Sequence, residues 1–337
     1  MNKEAVVLIN LGTPKSPKVK DVRNYLSEFL NDPFVIDINP IGRFFLVNMI
    51  IVPFRAPKSA KAYEQLWTPE GSPLMVYGRA LEEKVRTKLK DQADVYLSMR
   101  YQQPSMESVF NEMEGKGYEK ITVIPLYPQY ATASTETIFV EMQKLMSGWS
   151  NIPAIKFVDQ FYDHPLFIDT IIDRASKYNF DDYDHIIFSY HGLPKRQLNK
   201  LYSNAETCDD HLCATEINET NQKCYVATCY ATTRLLVERL SLEKDQYSVG
   251  FQSRLGKGWV EPFTDHILTD LAAKGKKKVL VFCPAFVADC LETIVEIGIE
   301  YQEEFEEAGG EKVQLVESLN DHDTFVDCLV NIAYPNV

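Results

Sequence analysis

The sequence predicts an α/β protein built as two doubly wound units, each with a four-stranded parallel sheet. Three observations lead there. The chain has 337 residues, too many for one ordinary core and enough for two domains of about 150 residues each. Eight short β-rich apolar runs fall into two sets of four, at 5–12, 95–101, 121–127 and 155–159, then 185–190, 247–252, 278–283 and 313–316. Most of these runs are apolar on both faces and are separated by long stretches of helical periodicity, the pattern of parallel strands joined by crossover helices. A closed barrel would need more even repeats. The Asn151-Ile152-Pro153 segment is the predicted boundary, giving a first unit over 1–150 and a second from 151 onward.

Composition narrows the function classes. Apolar residues make up 45% and charged residues 25%, the proportions of a folded globular protein. The 35 Lys and Arg against 48 Asp and Glu give a net charge of −13, which opposes binding to a polyanion, so nucleic acid is not an expected partner. No secretory signal is visible after Met1, and a cytoplasmic location is expected.

Along the first unit, the most apolar segment is 41–54 (IGRFFLVNMIIVPF). It is too short for a membrane span and contains Arg43 and Asn48. Pattern alone favours a buried helix. The basic residues Arg55, Lys58 and Lys61 that follow also suit an apolar lip dipping into an anionic membrane interface.

Ligands of open α/β sheets bind beyond the carboxyl ends of the strands. Four strand ends therefore carry the candidate chemistry: Asn10-Leu11-Gly12, Arg100-Tyr101, Ser189-Tyr190-His191-Gly192, and Cys283-Pro284-Ala285-Phe286 leading to Asp289-Cys290-Leu291-Glu292. His191 stands where Gly192 and Pro194 stop a strand, and its neutral imidazole can accept a proton or a divalent metal. The segment 289–301 reads as an α-helix with Asp289, Glu292, Glu296 and Glu300 on one face, a set of acids able to relay protons or hold a cation.

Seven cysteines in a reducing compartment are more readily thiols or metal ligands than disulfides. Cys283, Cys290 and Cys328 lie in apolar surroundings and read as core residues. Cys208, Cys213, Cys224 and Cys229 form C-x4-C-x10-C-x4-C, a typical count for a structural zinc or an iron–sulfur cluster. Spacing does not separate the two, and His211 could replace one thiolate. Motifs for phosphate-cradling loops, the nucleophile elbow and H-E-x-x-H zinc sites do not occur in the sequence.

Blocks across nearly the whole chain resemble the ferrochelatases: Leu8-Ile9-Asn10-Leu11-Gly12-Thr13-Pro14, Gly71-Ser72-Pro73-Leu74, Met99-Arg100-Tyr101, Pro125-Leu126-Tyr127-Pro128-Gln129-Tyr130, Phe188-Ser189-Tyr190-His191-Gly192-Leu193-Pro194, Phe251-Gln252-Ser253-Arg254, and Cys283-Pro284-Ala285-Phe286 through Asp289-Cys290-Leu291-Glu292-Thr293. The resemblance implies two similar Rossmann-like domains with a porphyrin cleft between them, the C-terminal segment 319–337 returning to the first. It implies insertion of Fe2+ into protoporphyrin IX by His191 and Glu292, with Glu296 continuing the acidic path. By the same carry-over, Leu11, Arg100, Tyr101, Trp259 and Phe286 line the macrocycle, and 41–54 is a lip on the membrane surface, reversing the preference for burial. The Cys-rich insertion 204–229 resembles that of the bacterial subset holding a 2Fe-2S cluster, which would place Cys208, Cys213, Cys224 and Cys229 on it. Leu11 stands where the coproporphyrin-using branch resembles Tyr-Gly-Thr-Pro, which favours protoporphyrin. Coproporphyrin ferrochelatase, another tetrapyrrole chelatase and an iron–sulfur redox-sensing module are the competing readings. Chemistry supports the carry-over independently. Metallation removes two pyrrole protons and brings Fe2+ to a flat apolar ring, so it needs a base, oxygen or nitrogen ligands and aromatic walls.

Overall fold

The computed structural model describes residues 4–90, 92–203, 206–254 and 256–335. Its strands are β1 (Glu4–Asn10), β2 (Asp94–Met99), β3 (Lys120–Pro125), β4 (Ala154–Phe157), β5 (His185–His191), β6 (Tyr247–Gln252), β7 (Lys278–Phe282) and β8 (Lys312–Leu315). They form two four-stranded sheets in the orders β2-β1-β3-β4 and β6-β5-β7-β8, with every pairing parallel. Each sheet therefore places its first strand inside and its second at an edge. Burial explains the composition. Val6, Val7, Leu8 and Ile9 of β1 and Ile187 and Phe188 of β5 are completely buried, as strands covered by helices on both faces require.

The chain divides into two units, one comprising Met1–Tyr127, Ala131–Gln160 and Asp321–Val337, the other Pro128–Tyr130 and Phe161–Asn320. The division follows Gln160 rather than residue 150. The reason is pairing, since β4 joins the first sheet through the register Lys120↔Ala154 to Val123↔Phe157. In the first unit, Val7 and Ile9 pack with Phe110, Ile121, Val123 and Ile138. In the second, Ile187, Val279 and Val281 pack with Leu268, Ile297 and Phe305. The C-terminal helix Asp323–Ala333 belongs to the first unit, where Lys84 Nζ binds Asp321 and Asp323 at 3.0 and 2.9 Å and Lys156 Nζ donates to the Ile332 carbonyl at 2.6 Å.

The connection from β1 to β2 carries the 41–54 segment. It folds as a short helix Pro40–Phe45, a π-helical turn Leu46–Ile51 and the helix Val52–Leu66. Val47 and Val52 are buried, whereas Ile41, Phe44, Phe45, Met49, Ile50 and Phe54 are 55–80% exposed. The burial favoured by pattern alone is thus corrected: the segment has too many apolar residues for one inward stripe and presents the rest to solvent. No helix among the described residues is long and apolar enough to cross a membrane. The equivalent connection from β5 to β6 carries the Cys-rich segment and the helix Tyr225–Leu240. Asn204 and Ala205, at the start of the expected insertion, lie outside the described residues.

The 289–301 segment also departs from expectation. Leu291–Glu300 is a π-helix continuing into the α-helix Tyr301–Glu307. Asp289 and Cys290 precede it. A periodicity of 3.6 residues does not signal a π-helix, a rare form found mostly at functional sites.

Candidate active site

β5 delivers His191 at its last position, opposite Gln252 of β6. Gly192 then presses against β6. Its N–H donates to the Gln252 carbonyl at 2.7 Å, and a Cβ there would sit 2.7 Å from the same oxygen, so only glycine fits. His191 Nδ1 lies 2.6 Å from the Gly192 carbonyl oxygen. A carbonyl only accepts, so Nδ1 carries the proton and Nε2 keeps its lone pair in the neutral ring. Phe286 stands with its ring 6.2 Å from the imidazole. Trp259 packs on Gly192, with a ring carbon 3.4 Å from the position a Cβ would take.

The π-helix brings Glu292 and Glu296 to the same region. Glu296 is held by the Ser253 N–H on Oε1 at 2.7 Å, by the Ser253 hydroxyl and Gln252 Nε2 on Oε2, and by the Tyr301 hydroxyl at 3.2 Å. Burial nevertheless raises its pKa above the ordinary carboxyl value. The bonds from Ser253 and Gln252 and the nearby His191 pull it down, and the Glu292 charge pushes it up. Gln252 links the whole group. Its Nε2 donates to the Glu292 carbonyl at 2.7 Å and to Glu296 at 3.0 Å, while its Oε1 accepts from Ser189 at 2.7 Å. The second unit therefore gathers an imidazole, two interacting carboxyl groups and two aromatic rings.

The acidic face expected from α-helical spacing is shorter than four residues. Asp289 is buried away from it, accepting from the Ser318 N–H at 3.1 Å and from Asn320 Nδ2 at 2.8 Å, and Glu300 is exposed. Asp289 anchors the start of the π-helix.

Leu11, Arg100 and Tyr101 come together in the first unit. The Arg100 and Tyr101 N–H groups donate to the Asn10 and Leu11 carbonyls at 2.8 and 2.9 Å. Buried Asp32 organises the pair. Its Oδ2 accepts from Arg100 Nη2 at 2.6 Å, the Tyr101 hydroxyl at 2.9 Å and Thr137 at 2.7 Å. Tyr101 is 1% exposed, and burial, followed by the Asp32 charge, holds its phenol well above the ordinary tyrosine value. The expectation that its ring faces a ligand is corrected, because the ring is enclosed and its hydroxyl is committed. Leu11 and Arg100 remain partly exposed.

Sequence reasoning missed Gln252, Ser253, Tyr301 and Asp32 as individual residues. The first two lay inside a quoted block, but amides and hydroxyls act here only through partners distant in sequence. Ser253 has a φ of +64°, which a residue other than Gly or Asn rarely adopts.

Of the four clustered cysteines the structure brings three together. The Sγ atoms of Cys208, Cys213 and Cys224 lie within 4.8 Å of one another. Cys229 is outside this group, enclosed on the helix Tyr225–Leu240 beside Tyr225, and burial raises its pKa. His211 is not in the group either; its ring stacks on Tyr202 at 4.1 Å, and Nε2 is 3.3 Å from Glu206. The three grouped thiols fit a metal ion.

Comparison with known proteins agrees with this architecture. The ferrochelatase family model matches residues 3–336. The chain is 41% identical over 335 residues to a ferrochelatase of Coxiella burnetii, covering 98% of this chain and 93% of that protein. It is also 41% identical over 331 residues to a ferrochelatase of Legionella pneumophila, covering 98% of each. Among solved structures, SirB from Bacillus subtilis with Fe3+ has a TM-score of 0.53 at 11% identity, over 98% of this chain and 93% of that one. CbiX, the terminal enzyme for biosynthesis of sirohaem in denitrifying bacteria, gives 0.50 at 8%, over 99% of each. These two likenesses concern the fold. The match of the family model over nearly the full length, with both bacterial relatives far above chance, makes the chain a member of the ferrochelatase family.

Proposed function

We propose that this chain inserts Fe2+ into protoporphyrin IX with His191 as the proton acceptor and Glu292 and Glu296 as the acidic pair that escorts metal and removes protons. The enzyme is a metal chelatase of the lyase class, and the assignment of roles rests on one observation. The Nδ1–H of His191 is tied to the Gly192 carbonyl, leaving the Nε2 lone pair available as the base.

Metallation exchanges two pyrrole protons for one divalent cation. His191 Nε2 takes one proton. Glu296, its affinity for protons raised by burial, is suited to the other, and its coupling to Glu292 lets a proton move along the helix without building two adjacent charges. Carboxylate oxygens and a neutral imidazole are also ordinary ligands for Fe2+ in transit. Phe286 and Trp259 supply apolar ring surface next to the base. Leu11 and Arg100 contact the macrocycle in this reading, while Asp32 and Tyr101 hold Arg100 in place. The exposed residues Phe44, Phe45, Met49, Ile50 and Phe54, followed by exposed Arg55, Lys58 and Lys61, favour peripheral binding to an anionic membrane surface.

The substrate test is anaerobic ferrous insertion into protoporphyrin IX against coproporphyrin III, followed by absorption. Protoporphyrin is expected to have the higher kcat/KM, and a preference for coproporphyrin would reverse the substrate assignment.

A further inference from the structure

Charge is unevenly distributed along this chain. Residues 15–61 hold eight Lys and Arg against four Asp and Glu, although the whole chain has a net charge of −13. Two of those acids are committed: Asp32 binds Arg100, and Asp21 accepts from the Ser16 hydroxyl. Arg43 is committed too, donating to the Ile36 and Ile38 carbonyls at 3.2 and 3.1 Å. Arg23 is different. It is exposed on the helix Val19–Leu30, and its guanidinium makes no hydrogen bond or ion pair among the described residues; the same holds for the side chain of Asn24.

Arg23 and Asn24 both line a cavity of about 250 Å³ whose other walls are Ser27, Asn48, Val52 and Pro53. Hydrogen bonds tie its polar wall to the π-helical turn Leu46–Ile51. Ser27 Oγ donates to Asn48 Oδ1 at 2.7 Å, Asn31 Nδ2 donates to the same oxygen at 3.2 Å, and Asn48 Nδ2 donates to the Phe44 carbonyl at 2.9 Å. These bonds fix Ser27 and Asn48, so the unspent donors of the cavity are Arg23 and Asn24.

The setting identifies the ligand class. The volume is below the roughly 300–1,000 Å³ of sites that enclose a drug-sized molecule, which suits a single polar head group. None of the lining residues is acidic, and a free guanidinium beside a free amide recognises an oxyanion, the guanidinium through two parallel N–H bonds to phosphate oxygens. The lining residues also adjoin exposed apolar ones: Met49 and Ile50 follow Asn48, and Phe54 follows Pro53. A ligand with an anionic head and attached hydrocarbon satisfies both surfaces at once, whereas a free anion leaves the apolar residues in water.

We infer that this cavity seats the phosphate of an anionic phospholipid, with Arg23 and Asn24 as its donors and the acyl chains lying over Met49, Ile50 and Phe54. The inference rests on the proposed membrane role of the 41–54 segment and adds a fixed head-group site to it, so that binding depends on the shape as well as the sign of the charge at position 23.

Two substitutions that keep the net charge test it. Arg23→Lys replaces the planar fork by a point charge, and Asn24→Ala removes the neutral donor. Sedimentation of the full chain with phosphatidylcholine vesicles, and with vesicles that also carry phosphatidylglycerol, measures the partition at constant ionic strength. Each variant should bind the phosphatidylglycerol vesicles about fivefold or more weakly than wild type, the scale of a lost hydrogen bond to a charged group. Both should bind pure phosphatidylcholine vesicles as wild type does, because choline shields the phosphate there. Inorganic phosphate added at the same ionic strength should not release the protein, and melting curves verify that each variant is folded. Wild-type partition of both variants onto phosphatidylglycerol vesicles, or an equal loss on both kinds of vesicle, would overturn the head-group site and leave the membrane role of the apolar segment standing. Release by millimolar phosphate would make this a free-anion site and overturn the lipid assignment. A wild-type chain that binds neither vesicle would remove the membrane role itself and the inference with it.

Discussion

His191 and Glu296 show how far a side chain's chemistry depends on backbone that sequence motifs do not display. The Gly192 carbonyl selects the imidazole tautomer. Burial and the Glu292 charge raise the carboxyl, against the opposing effect of Ser253, Gln252 and His191. An acid whose pKa is higher folded than unfolded makes the native state hold more protons than the unfolded chain, so its contribution to stability falls as pH rises through that window. Glu296→Gln removes the titration. Thermal melts from pH 5 to pH 8 should therefore show the variant gaining on the wild type as pH increases, whatever constant offset the altered hydrogen bonds introduce. A difference independent of pH would show that the carboxyl is not shifted upward. His191 and Glu292 could be singled out as candidates because an imidazole at a strand end and a carboxyl in the first turn after one advertise their chemistry. Gln252 and Ser253 were not, because their role consists of bonds to residues about forty positions away.

At the level of elements, both sheets use the same device at the end of the first strand. Gly192 after β5 presses on Gln252, and Gly12 after β1 has a φ of +112° and would place a Cβ 1.9 Å from the Tyr101 carbonyl oxygen. Gly12→Ala combines a forbidden conformation with a backbone clash and should cost about 2–4 kcal/mol, read as a lower urea midpoint. An unchanged midpoint would mean that the close approach is not needed. The eight strands were readable because buried parallel strands are continuously apolar. The π-helix at Leu291–Glu300 was not, because its wider turn arises from tertiary placement of the two glutamates and leaves no distinct periodicity. The 41–54 segment defeated pattern reading in another way: apolar residues usually face a core, and here most face outward. Replacing Phe44, Phe45 and Ile50 with Ser should weaken binding to phosphatidylglycerol vesicles about tenfold or more, since one apolar side chain of this size contributes about 1.5–3 kcal/mol when buried. Sedimentation measures the partition, and an unchanged value would remove the membrane role.

Over the whole molecule, one strand order is used twice, and each copy is elaborated in the connection between its first and second strands. In the first unit that connection carries the exposed apolar segment; in the second it carries the thiols. Function follows from these elaborations and from what stands at the strand ends, while the repeated sheets supply rigid positions for them. The duplication was visible in the spacing of apolar runs, which already put 155–159 in the first set of four, but the expected boundary at residue 150 cut that strand from its sheet, and only the pairing of β4 with β3 moves the division past Gln160. The account depends most on His191 accepting a proton from the porphyrin. Single-turnover metal insertion into protoporphyrin IX by wild type and His191→Ala, with melting curves to verify folding, tests this directly. The variant should be slower by about 10²-fold or more, the loss typical of removing a general base; a folded His191→Ala enzyme with wild-type turnover would contradict the account.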